Sequence, residues 1–98
     1  MGVWSGSRLA KLNLRTRQIT VLLDDPAGGF RDPRVRYDGA KILFSYRKGG
    51  THPFHLYEIN IDGSGLTQLT DGTWNDFDPA WLPDGRVVFV SERRGGYL

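Results

Sequence analysis

The stretch LYEINIDGSGLTQLTD, from Leu56 to Asp71, decides the fold, because the chain spells a version of it twice. Slid along by 47 residues, LAKLNLRTRQITVLLD, beginning at Leu9, falls on it. Leu9 meets Leu56, Asn13 meets Asn60, Thr20 meets Thr67, Leu22 meets Leu69 and Asp24 meets Asp71. Working outward, Phe30 meets Phe77 in the same register. One extra residue near Arg31 then reduces the offset to 46, and DPRVRYDGAKILFSYRKGG from Asp32 overlays DPAWLPDGRVVFVSERRGG from Asp78. Asp32-Pro33, Asp38-Gly39, Ser45 and Arg47 recur as Asp78-Pro79, Asp84-Gly85, Ser91 and Arg93. A register held this long with one slip marks an internal repeat.

Turn signals cut each copy into four short strands. In the second copy these are expected at 56–61, 66–70, 79–82 and 86–91, with hairpin turns at Asp62-Gly63-Ser64-Gly65 and Pro83-Asp84-Gly85. Tyr57, Ile59 and Ile61 alternate with Glu58 and Asn60, the pattern of a half-buried strand. Ile42-Leu43-Phe44 and Val87-Val88-Phe89-Val90 are apolar on both faces, so each belongs inside a sheet covered on both sides. No segment keeps a helical period over ten residues. The expectation is eight short antiparallel strands and no helix.

Four antiparallel strands in a repeat of about 45 residues make a β-propeller blade. The ordered motifs resemble the TolB-like, WD-related propeller repeat: an Asp-Pro strand, a Pro-Asp-Gly turn, an apolar strand ending Ser-x-Arg, then a hairpin around Asp62-Gly63 closing on Leu69-Thr70. The resemblance runs from Leu9 to Gly96 and leans towards propeller segments of planctomycete proteins related to hydrazine synthase. Some of those carry haem, but this chain has no CxxCH, so no cofactor is expected. The first copy departs from the pattern, with Tyr37 at the turn proline and Arg15-Thr16-Arg17 at the Asp-Gly turn. The resemblance implies that a blade begins, innermost, with the Asp-Pro strand. The chain then reads outer pair, complete blade, inner pair: two four-stranded repeats, circularly offset, whose blades complete between chains. It also implies a family that is often periplasmic or exported. Residues 1–8 read as an extension or tag remnant with a first loop, and 9–55 and 56–98 as the repeats.

Composition narrows function. Thirteen Lys and Arg face eleven Asp and Glu, interspersed, which disfavours a nucleic-acid partner. There is no cysteine and no apolar run of membrane-spanning length, and no signal peptide is expected before the first strand.

Candidate chemistry is sparse. The repeated Asp32, Pro33, Asp38, Gly39, Asp78, Pro79, Asp84 and Gly85 read as architecture, each strand-starting aspartate bonding nearby backbone. His52 and His55 flank Pro53 in an extended segment, point to opposite sides and lack a third ligand, so no metal is expected. No nucleophile elbow or acid–base pair is visible, and the chain reads as no enzyme. The binding candidates are loop residues that the repeat does not demand: Trp74, Asn75 and Asp76, with Arg47, His52, Arg93, Arg94 and Tyr97.

The expected function is a non-catalytic module that assembles head to tail into a ring, trimer ahead of tetramer, and scaffolds a protein or glycan ligand. Two blades alone leave two faces bare. If each exposes on the order of 500 Å² of apolar surface, about 12 kcal/mol is forfeited per face. Alternatives are a fragment of an enzyme-associated propeller (a peptidase gate or haem-enzyme domain) and a lectin-like glycan-binding ring. The length also fits a fragment excised from, or engineered out of, a longer propeller.

Overall fold

The computed structural model describes residues 2–4, 7–49 and 52–93. Among these residues nine strands follow one another: β1 (Gly2–Trp4), β2 (Arg8–Leu12), β3 (Ile19–Asp24), β4 (Gly29–Val35), β5 (Lys41–Arg47), β6 (His55–Asn60), β7 (Thr67–Gln68), β8 (Asp76–Trp81) and β9 (Val87–Ser91). No helix occurs among the described residues. They form three antiparallel sheets in the orders β1-β2-β3, β4-β5-β6-β7 and β8-β9. The chain is all-β, and the arrangement is that of a propeller fragment, with one complete four-stranded blade between two partial ones.

The first sheet departs from expectation. In place of an outer pair preceded by an extension it has three strands, because Gly2–Trp4 pair antiparallel with β2. Three residues without a turn signal carry too little pattern to be read as a strand.

Alternation on the central strands builds the core. Ile42 and Phe44 of β5 join Phe30, Tyr57 and Ile59 against Leu9 of the first sheet, with Leu22, Leu23, Tyr46 and Ile61 packed around them. Leu43 and Ser45 are fully buried on the opposite face, which lies towards β8.

Each innermost strand is kinked at its Asp-Pro. The register shifts between Arg31 and Arg34 in β4 and between Phe77 and Ala80 in β8, so that two residues oppose one. Asp32 and Asp78 adopt left-handed φ values of 57° and 51°, a region aspartate tolerates better than most residues. The following proline lacks the N–H that a bulge would leave unpaired. Asp32 does not bond nearby backbone as expected. Its carboxylate accepts the N–H of Asp78 at 3.1 Å, while Arg34 donates to the Asp78 carboxylate at 2.8 Å. The repeated aspartate ties one blade to the next.

The sequence alignment of the two copies also slips. Leu82 N–H bonds Arg86 C=O across three residues, whereas Arg36 N–H bonds Lys41 C=O across four. The shorter turn slides β9 by one position: Val88 opposes Ala80 where Leu43 opposes Arg34, so Phe89 matches Phe44 and Ser91 matches Tyr46. Ser45 and Arg47 are therefore not the structural counterparts of Ser91 and Arg93.

Leu43→Ala should cost about 2–5 kcal/mol of stability by leaving a cavity between sheets. Val88→Ala, at the same repeat position but exposed, should stay within about 0.5 kcal/mol where the chain is monomeric. Urea unfolding of both variants measures the contrast.

Candidate functional site

The loops entering β4 and β8 gather side chains at one end of the strands. At the seam between the first and second sheets, Phe30 opposes Tyr46 and the two rings stack at 4.4 Å. The Tyr46 hydroxyl continues to Asp25, donating at 2.6 Å, and Gly49 N–H donates to the same carboxylate oxygen at 2.8 Å. Those bonds, Tyr46's foremost, hold the Asp25 carboxyl below its ordinary range. Burial and the Asp25 charge push the phenol upward.

At the corresponding place in the next seam, Asp76 opposes Ser91. Asp76 is fully buried and accepts from Ser91 Oγ at 2.6 Å and from the Arg93 guanidinium at 2.7 Å. His55 Nδ1 lies 3.4 Å from the same carboxylate, and its Nε2 faces Gly72 C=O at 3.0 Å. Burial alone would raise the Asp76 carboxyl. Hydrogen bonds from Ser91, Thr70, His55 and Arg93 outweigh it and hold the group low. A buried carboxylate survives only with such partners. This cluster has an aspartate, a histidine and a serine, but the serine donates to the aspartate, and its hydroxyl proton is not aimed at the histidine. The geometry is a tie between sheets rather than a nucleophile relay.

The candidate residues are therefore split. Asp76 and Arg93 belong to the buried tie. Asn75 is also structural in part: its Oδ1 accepts Phe54 N–H at 2.8 Å and its Nδ2 donates to Glu92. Trp74 is 44% exposed and borders, with Thr73, Asn75 and Glu92, an open cleft of about 460 Å³. His52 is exposed and lines a second cleft of about 370 Å³ with Lys48, His55, Asp71 and Gly72. The loop 71–75 runs between the two clefts. Arg47 lies over the Phe54 ring at 5.4 Å. Arg94 and Tyr97 fall outside the described residues. The repeat positions Asp38-Gly39 and Asp84-Gly85 sit in the hairpin turns, with both glycines at positive φ.

Reading by sequence missed His55 and Ser91 as partners of Asp76. Asp76 was read as a loop residue, but it opens β8 and is fully buried, because pairing with β9 and packing on β6 bring these partners to it. It also missed a cleft of about 540 Å³ between β4 and β8, lined by Val35, Tyr37, Ala80, Trp81 and Leu82. Trp81 Nε1 is buried there without a partner among the described residues.

No family model matches this chain. It is 44% identical over 84 residues to hydrazine synthase subunit alpha of Kuenenia stuttgartiensis, covering 84% of this chain and 10% of that protein. It is 46% identical over 41 residues to dipeptidyl-peptidase 5 of Porphyromonas gingivalis, covering 41% and 6% respectively. Over 46 residues it is 44% identical to the Tol-Pal system protein TolB of Zymomonas mobilis, covering 45% and 10%. The chain spans a tenth or less of the length of these relatives. Shared over short stretches, the likeness supports kinship with propeller-containing proteins.

Asp76→Ala should lower stability by about 2–3 kcal/mol, the worth of its charged hydrogen bonds, whereas His52→Ala should leave stability within about 0.5 kcal/mol. Because the folded Asp76 carboxyl lies below its ordinary value of 3.8, its contribution is complete above that value and is lost as pH falls through the folded pKa. The stability difference between the parent and Asp76→Ala should shrink in acid, read by urea titration from pH 6 down to about pH 3.

Proposed function

We propose that this chain is a non-catalytic propeller segment that completes its end blades with further copies of itself and presents the loop rim as a binding scaffold. One observation carries the reading. Leu43 and Ser45 of the central blade are 0% exposed beneath the third sheet, whereas their counterparts on β9, Val88 and Val90, are 52% and 58% exposed. The same strand position is buried wherever a neighbouring blade exists and bare where none does. At the other end, Ile19 and Val21 of β3 are exposed on the face turned away from the core. A blade repeat gains its stability from neighbours on both sides, which favours supplying them.

A head-to-tail contact closes when its rotation divides the circle. Each copy contributes its complete blade and, from its two ends, the makings of one more. Three copies yield six blades and four yield eight; the smaller ring is the favoured count. On the rim, the exposed Trp74 indole beside Asn75 and Glu92 suits a ligand with a flat apolar face and hydroxyl groups, such as a glycan or a peptide aromatic.

A second reading keeps the chain as part of a larger enzyme-associated protein. It is favoured by the 84-residue match to a protein named hydrazine synthase subunit alpha, and by the shorter one to a peptidase. There the neighbouring blades would come from the same polypeptide.

Native mass spectrometry at micromolar concentration separates these readings. A trimer is expected, a tetramer changes only the count, and a persistent monomer removes the self-assembled ring and leaves the second reading.

A further inference from the structure

β1 lies where the central blade has its second strand. Gly2, Val3 and Trp4 oppose Leu12, Lys11 and Ala10 of β2. The repeat counterparts of those three, Ile59, Glu58 and Tyr57 of β6, oppose Ile42, Leu43 and Phe44 of β5. Val3 and Trp4 thus hold the register positions of Leu43 and Phe44, with matching residue types: an aliphatic, then an aromatic. β9 is also a second strand, joined to β8 by its hairpin, and places Val88 and Phe89 at those same positions. The two ends of the chain therefore carry five strands for a four-stranded blade. A blade made from β8 and β9 of one copy and β2 and β3 of the next has room beside β2 for a single second strand.

From this overlap we infer that β1 is a placeholder: it covers the edge of β2 in the free chain and is displaced by β9 of a second copy when the blade closes. The inference deepens the self-assembly reading and rests on it. β1 offers three register pairs. β9 spans five residues, equal in length to β2, and brings β8 with it. The central blade sets the register of the exchange: Val87 opposite Leu12, Val88 opposite Lys11, Phe89 opposite Ala10, Val90 opposite Leu9 and Ser91 opposite Arg8. β1 meanwhile shields an edge that would otherwise pair indiscriminately.

The chain has no cysteine, so disulfides can be placed at will. Directly opposed residues of an antiparallel pair lie within disulfide reach. The variant Lys11→Cys/Val88→Cys should form covalent multimers on oxidation, seen in non-reducing gels. The pair Lys11→Cys/Phe89→Cys, one residue out of register and on the other face, should not. The variant Val3→Cys/Lys11→Cys should close within one chain and hold β1 in place. Locked, it should need at least about tenfold more protein for half-assembly, with the parent value restored by reductant. Oligomers that form equally well with β1 locked, or an in-register pair that fails to cross-link within them, overturn the placeholder and leave self-assembly standing. Monomers alone, oxidised and reduced, overturn both.

Discussion

Ile42, Leu43 and Phe44 send apolar side chains to both faces of the central sheet, and both faces must be covered. One sheet can bury only one face of another, so covering the two requires a sheet on each side, and each of those presents a further face outward. The stack has no natural end. Among the described residues the flanking sheets have three strands on one side and two on the other, and valines at 88 and 90 lie bare where the central blade has covered residues. A β-propeller resolves the same constraint by bending the stack round until the last face meets the first.

The two seams reach the same geometry with opposite chemistry. One holds a stacked Phe30–Tyr46 pair, the other a buried Asp76–Ser91 pair with His55 and Arg93. In both, a hydroxyl from the second strand donates to a carboxylate of the loop or strand that enters the same blade. The aromatic seam tolerates small shifts of packing. The polar seam does not, because a misplaced carboxylate loses partners that offset its desolvation. Two strands of the third sheet are described, and this network, together with the Asp32–Asp78 link, ties them to the central sheet.

The rim residues show how architecture and binding compete for the same side chains. Asp76, Asn75 and Arg93 are spent on holding sheets together, which leaves Trp74, His52 and Arg47 as the described candidates whose exposed surface is not committed to that tie. Of these, the Trp74 indole offers the largest apolar surface, 44% of it exposed.

Strand alternation, Gly and Asp turn chemistry and the repeat are local properties, so the all-β class, the blade unit and the four-strand division could all be read from residues 9–91 in order. The Asp-Pro positions were legible as structural for the same reason. Four features were not: two depend on partners distant in the chain, and two on a pairing register that residue types alone do not reveal. Asp32 finds the amide of Asp78 only when two blades are stacked. Asp76 is buried only because β6 and β9 close over it. β9 is displaced by one position because its hairpin turn is a residue shorter, and the alternation of side chains then reverses which matching letters face the same way. β1 exists only because β2 presents an open edge. A strand of three residues has no periodicity of its own, so its identity is supplied entirely by the hydrogen-bonding groups it meets.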